Sequence, residues 1–255
     1  MAISWKKAQV NEKSFWKSIY LSDNKNFYPK TNKEEDFLMS TLGVLKSHNI
    51  NFVNLKNKIL VDLGCGPYGE IMGIKILEKK NQIFLKKIIG IDPLMDFYKK
   101  EIGLIKEAEN LQLINAKGEE IPLENESVDV VISSNAIDHC EVPELTIGEV
   151  KRILKKNGTF YINVHVLNSK FSFLSNILKY FDKNHPHHFT QSKLEGLLKK
   201  QFKNVEKNYS TNIFSNEKTS FFKILFNKNN ENFFKGFKRA ISNYLLYVTY
   251  YTCTK

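Results

Sequence analysis

Val61-Asp62-Leu63-Gly64-Cys65-Gly66-Pro67-Tyr68-Gly69 joins a short apolar run to a helical pattern, and its glycines fit the G-x-G-x-x-G spacing of a dinucleotide-binding turn. Such a turn offers bare backbone N–H groups to a pyrophosphate at a helix N-terminus. Pro67 removes one of those donors, and Asp62 sets a carboxylate beside the place the anion would take. A nicotinamide or flavin ligand fits the glycine spacing, but Asp62 and Pro67 suit a cationic ligand better. A second acid, Asp92, closes the run Ile89-Gly90-Ile91-Asp92.

Histidine supplies the other chemistry. His139 follows Ser133-Ser134-Asn135-Ala136-Ile137-Asp138, His165 ends an apolar run, and His185-Pro186-His187-His188-Phe189-Thr190 is a His-rich segment. Two imidazoles from that segment could begin a metal site, but Asp182 is the only carboxylate close to it in sequence, so no metal is expected. The other readings are a loop contacting a hydroxylated or anionic acceptor, and a plain helix entry with Thr190 as N-cap. Cys65, Cys140 and Cys253 are odd in number and far apart, which excludes a disulfide framework and a cysteine-based zinc site.

These residues need a scaffold that gathers strand ends. From Lys58 onward short apolar runs alternate with helical patterns, the signature of a parallel sheet with crossover helices. Strands are predicted at Ile59–Leu63, Ile88–Ile91, Leu111–Asn115, Val128–Ser133 and Thr159–Val166. Helices are predicted at Glu70–Lys80, Asp96–Ile105 and Val142–Lys155, the last stopped by Asn157-Gly158. A helix Thr190–Phe202 and strands Val205–Phe214 and Thr219–Leu225 follow. The fold class is therefore α/β, a doubly wound, mostly parallel, Rossmann-like sheet whose ligands lie beyond the carboxyl ends of its strands.

That domain is expected over residues 56–226. Residues 1–55 read as a helical cap: Trp5, Phe15, Trp16, Ile19 and Tyr20 make one amphipathic piece. Thr31 and Glu34 open a second, which carries Phe37, Leu38, Thr41, Leu42 and Leu45. In residues 227–255, Phe233, Phe237, Ala240, Ile241, Tyr244, Leu245 and Val248 form a stripe that predicts an amphipathic basic helix, packed on the sheet or lying in a membrane interface.

Asp62-Leu63-Gly64-Cys65-Gly66 resembles motif I of the class I S-adenosylmethionine-dependent methyltransferases. The resemblance continues in order through Ile89–Asp92, Gly118–Leu123, Ser127–Val131 and Arg152–Gly158, covering about residues 55–166. It implies S-adenosyl-L-methionine as cofactor. Asp62, Leu63, Gly64, Cys65 and Gly66 would surround its methionine part, Asp92 and Pro93 would lie at the ribose, and Gly118, Glu119, Ser134 and Asn135 would complete the site. The cofactor carries a sulfonium and an ammonium, so Asp62 can pair with the amine, and the two oxygens of Asp92 suit a vicinal diol. Many family members hold the adenine with an Asp after the third strand; Lys117 stands near that place here, which shifts the contact to amides around Gly118 or to Glu119.

The resemblance also sets His139 where family members line the acceptor pocket, as candidate general base; a positioned base typically adds roughly 10² to 10⁴ in rate. His165, His185, His187 and His188 are the candidate acceptor-binding residues. Ser133-Ser134-Asn135-Ala136 stands where a nucleobase amino-methylating enzyme would carry an Asn-Pro-Pro-Tyr-like motif. The implied reaction is in-line O-methylation of a small-molecule, sugar or lipid-linked acceptor. The rivals are an RNA-directed methyltransferase, an NAD-binding oxidoreductase and a noncatalytic cofactor-binding subunit.

Composition bounds these readings. At 255 residues, 42% hydrophobic and 25% charged, the chain is neither disordered nor a disulfide-stapled mini-protein. Its net charge of +11 is uneven: residues 1–150 hold 19 basic and 22 acidic groups, residues 151–255 hold 19 and 5. The basic surplus suits an anionic acceptor or a membrane surface met through residues 233–250, with nucleic acid the weaker partner and solvated surface lysine the plain alternative. Met1–Val10 lacks the apolar core of a secretory signal, and Ile241–Thr254 is too short and polar to span a bilayer. The expected location is the cytoplasm, with peripheral contact at the inner face of the membrane.

Overall fold

Ile59-Leu60-Val61-Asp62-Leu63 is apolar at every position but Asp62, the pattern of a strand covered on both faces. In the computed structural model it is β1 (Ile59–Leu63), near the middle of one sheet. The structure describes residues 4–20, 34–67, 69–103, 108–174, 185–212 and 245–255. Two helices come first, α1 (Trp5–Tyr20) and α2 (Glu34–Ser47). After β1 follow α3 (Ile71–Asn81), β2 (Lys87–Asp92), the single turn α4 (Met95–Phe97), β3 (Leu111–Asn115) and β4 (Val128–Ser134). Next come α5 (Pro143–Ile153), β5 (Leu154–Leu167), β6 (Phe189–Thr190), α6 (Gln191–Gln201), β7 (Asn204–Asn212) and β8 (Leu246–Thr254).

The sheet runs β3-β2-β1-β4-β5-β8-β7, with β6 added to β5. Neighbours from β3 to β5 pair in parallel, whereas β8 pairs antiparallel with both β5 and β7. Successive side chains of β1 feed opposite cores: Leu60 joins Ile71, Ile74 and Ile88 on one face, and Val61 joins Ile147, Val150 and Phe160 on the other. Each such fully buried side chain contributes about 1.5–3 kcal/mol by leaving water. The order reverses at β1, between β2 and β4, so the crevice at their carboxyl ends is the natural ligand site.

Three expectations need correction. The helix expected over Asp96–Ile105 is only α4 and one wider turn, Tyr98–Ile102, ended by Gly103 at a φ of 70°. Helix α5 stops at Ile153, and Asn157 (φ 62°) bends β5 instead of ending a helix; its amide meets the Lys255 carbonyl at 3.2 Å. The C-terminal helix is overturned at its end, because Leu246–Thr254 is a strand inside the sheet. Its β-branched and aromatic residues alternate, burying Thr249, Tyr251 and Cys253, and that period of two outweighs the helical stripe. Leu246–Tyr250 are thereby removed from the membrane-contact reading. Thr31, the strand expected at Thr219–Leu225 and Phe233–Tyr244 lie outside the described residues. No helix among the described residues is long and apolar enough to cross a membrane.

Since β8 fills the gap between β5 and β7, a chain ending at Asn232 is expected to lose cooperative thermal unfolding, measured by circular dichroism, because two strand edges and the Tyr251 site are laid open. A truncated chain that still melts cooperatively would show β8 to be dispensable.

Candidate active site

The loops leaving β1, β2 and β4 enclose a cavity of about 430 Å³, within the range of small-molecule sites. Gly64 turns with a φ of 73°, and a side chain there would collide with the Ala136 methyl group. Gly69 turns with a φ of 46°, and a side chain there would collide with the Asp62 carboxylate. The Gly64 and Cys65 amides donate to the Ile91 carbonyl at 2.8 and 3.3 Å, and the Gly66 amide donates to Asp92 Oδ2 at 3.0 Å. These amides bind the protein's own oxygens and form no phosphate cradle.

Three acids lie behind this turn. Asp62 is 1% exposed, Glu70 6% and Asp92 7%. Asp62 accepts from the Glu70 amide at 2.7 Å, just before α3, and Asp92 accepts from the Leu94 amide at 2.8 Å. Among the described residues, no lysine or arginine ion-pairs with any of the three. Burial pushes the Asp62 carboxyl up to about 8, with the Glu70 charge adding to the effect. Burial pushes Asp92 up to about 7 against the pull of the Leu94 and Gly66 amides, and it raises Glu70 as well. Such a cluster is relieved by a cation brought within hydrogen-bonding reach.

The remaining walls come from distant elements. Asp62 through Gly66, Asp92, Pro93, Gly118, Glu119, Ser134 and Asn135 all line the cavity. Arg152 holds the stretch after Gly118 by donating to the Ile121 and Leu123 carbonyls, both at 2.8 Å. Glu119 accepts from the Val142 amide at 2.9 Å at the entry to α5, so one of its oxygens is engaged there. Lys117 pairs with Glu141 at 2.8 Å and lies 4.1 Å over the Trp5 ring. Helix α1 contributes Trp5, Gln9, Glu12, Phe15 and Trp16 to the wall and is pinned by the Trp5 indole donating to the His139 carbonyl at 3.1 Å. The sequence marked α1 only as a cap, because an aromatic stripe on a helix reads as core before it reads as site.

The histidines divide. His139 and His185 line the cavity with ring centroids 4.5 Å apart, and Glu12 Oε2 stands 3.6 Å from His139 Nδ1. His165 lies outside the cavity wall; burial holds its imidazole below the ordinary value, Asp138 opposes that, and His185 and His139 add to it. His187 and His188 do not line the cavity either. The His187 amide donates to the Asp138 carbonyl at 3.3 Å, which turns its ring to the Glu141 carbonyl, 3.2 Å away. The sequence reading passed over Glu70, Glu12 and Asp138. Only the acidic side chains themselves hinted at them, and nothing local separates these from surface acids.

Comparison with known proteins fits this geometry. Residues 61–162 match the family model described as a methyltransferase domain. A candidate sarcosine dimethylglycine methyltransferase of Galdieria sulphuraria has a TM-score of 0.59 at 14% identity, covering 95% of this chain and 98% of that one. Phosphoethanolamine N-methyltransferase 2 of Haemonchus contortus, solved with phosphomonomethylethanolamine and S-adenosylhomocysteine, has a TM-score of 0.55 at 15% identity, covering 93% and 66%. An uncharacterised protein of Methanocaldococcus jannaschii is 33% identical over 76 residues, 30% of this chain. The chain spans 35% and 57% of the length of the two curated relatives it matches. Residues 61–162 thus match a methyltransferase domain, and the solved structures share its fold.

From the ordinary carboxylate range near pH 4 up to about pH 8, the folded chain holds protons on Asp62 and Asp92 that the unfolded chain has released. These groups therefore withdraw stability as pH rises through that window. Asp62→Asn is expected to raise the melting temperature of the ligand-free protein more at about pH 8.5 than at about pH 5.5, by roughly 2–4 °C for each kcal/mol recovered. A calorimetric difference that does not change with pH would show that Asp62 is not a strained acid.

Proposed function

We propose that the protein transfers the methyl group of S-adenosylmethionine to an oxygen of a small acceptor such as a sugar, a lipid-linked species or a phosphorylated metabolite. One observation carries the cofactor side of this reading: a glycine turn whose amides are already engaged, backed by three buried acids with which no lysine or arginine among the described residues ion-pairs. A pyrophosphate would meet carboxylates there, which disfavours an NAD-dependent oxidoreductase, whereas a sulfonium and an ammonium meet complementary charge.

When bound, the cofactor supplies an activated methyl group whose bond to sulfur breaks as the bond to the acceptor oxygen forms. Asp62 and Glu70 receive the amine side. Asp92 receives the ribose hydroxyls through lone pairs left after its bonds to Gly66 and Leu94. Helix α1 walls the cavity and holds acceptor and cofactor in line, the largest contribution such a transfer needs. His139, on the acceptor side, takes the hydroxyl proton.

A small acceptor is favoured over RNA by the partners of the C-terminal lysines. Lys155 pairs with Asp129 at 2.9 Å, Lys255 with Glu126 at 3.3 Å and Lys199 with Glu195 at 3.6 Å, so part of the described basic surplus is answered within the protein. The structural neighbour solved with a small phosphorylated amine adds support for acceptor size.

Asp92→Ala is expected to weaken S-adenosylmethionine binding at least about tenfold, roughly 1.4 kcal/mol, by titration calorimetry; unchanged affinity, or wild-type protein that binds NAD instead, would overturn the cofactor assignment. Tritiated-methyl transfer to small-molecule, lipid and RNA fractions of the source cell should label a small-molecule or lipid fraction, and labelling of RNA alone would reverse the acceptor assignment. With the labelled acceptor, His139→Ala should lower kcat by roughly 10² to 10⁴ while leaving cofactor affinity within about twofold. An unaltered kcat would take His139 out of the reaction.

A further inference from the structure

Beside the acceptor end of the cavity, the turn after β4 carries two potential ligands in succession. Asp138 is only 2% exposed, and its Oδ1 is buried with no hydrogen-bond partner among the described residues. A buried, unanswered carboxylate oxygen is costly and calls for a cation or a proton. His139 follows it in the chain, and His185 arrives from the loop before β6. One ligand atom from each of Asp138, His139 and His185 lies within 4.8 Å of the others. Counting along the sequence disfavours this set, because the carboxylate adjoins the wrong histidine; the fold brings the second histidine to it.

We propose that Asp138, His139 and His185 form a site for one divalent transition cation of the zinc or cobalt type. Two imidazoles and one carboxylate suit such ions better than magnesium or calcium, which favour all-oxygen sets. Three protein ligands leave a fourth position, and His139 and His185 face the cavity, so that position opens toward the acceptor. Glu12 Oε2, 3.6 Å from His139 Nδ1, stands where an outer carboxylate orients a metal-binding imidazole.

The chemistry of the site rests on the acceptor reading above; the binding of the cation does not. An acceptor hydroxyl bound at the fourth position becomes more acidic and loses its proton to water. Its oxygen then forms the bond to the methyl carbon of S-adenosylmethionine while the carbon–sulfur bond breaks, the electron pair staying on sulfur. With the cation in place His139 acts as a ligand, and the cation replaces it as the group that lowers the cost of ionising the hydroxyl.

The test uses the full, tag-free chain, stripped with a chelator and titrated with cobalt(II), with visible d–d absorption and calorimetry as readouts. Wild type is expected to bind one equivalent with d–d bands, and His185→Ala to weaken binding at least tenfold with the far-ultraviolet circular dichroism unchanged. Asp138→Asn should do the same, and because His185 sits on a loop, its variant keeps the test decisive if the buried Asp138 variant fails to fold. No bands in wild type, or binding by His185→Ala equal to wild type, overturns the site. S-adenosylmethionine titrated into the chelated protein reports separately on the methyltransferase reading: affinity retained while cobalt fails to bind would sink the metal site alone, and loss of both would sink both.

Discussion

Three buried carboxylates, near the ends of β1 and β2 and at the start of α3, set the terms for the rest of this molecule. Asp62, Glu70 and Asp92 have given up water, and the protein answers Asp62 and Asp92 with backbone amides, no lysine or arginine among the described residues ion-pairing with any of the three. The arrangement demands a chain that folds tightly around the acids. Gly64 and Gly69 adopt left-handed backbone where side chains would also strike Ala136 and Asp62, and the start of α3 brings an amide and the positive end of a helix toward Asp62. What the amides leave uncompensated is the attraction for a cationic ligand. Stability and binding are therefore opposed at this spot.

The other half of the cavity depends on elements far apart in the chain. Helix α1 crosses the mouth and is tied to the turn after β4 through Trp5 and His139. The same turn places Asp138 and His139 next to His185, whose loop is held by the His187 amide on the Asp138 carbonyl. The order of the sheet makes this possible. With β1 between β2 and β4, Asp62, Asp92 and His139 open from neighbouring strand ends onto one cavity.

The central strands were legible because each is a short apolar run bounded by turn residues and buried on both faces, a local signal. Asp62 and Asp92 were legible because they end such runs. Leu246–Thr254 was not, since its aromatic and apolar residues satisfy a helical stripe as well as an alternation. Only pairing with β5 and β7 selects the strand. The Asn157-Gly158 pair likewise signals a bend without saying whether a helix or a strand is being bent.

By itself, then, the sequence determined the α/β class, the turn that carries the glycines and the two acids suited to a cationic cofactor, because those depend on residues near one another along the chain. Only the tertiary structure decided that Glu70 joins those acids, that α1 walls the cavity, that the chain end is a strand of the sheet, and that Asp138, His139 and His185 converge while His187 turns away. Those facts rest on long-range packing, where the direction of a side chain is set by elements that no local pattern connects.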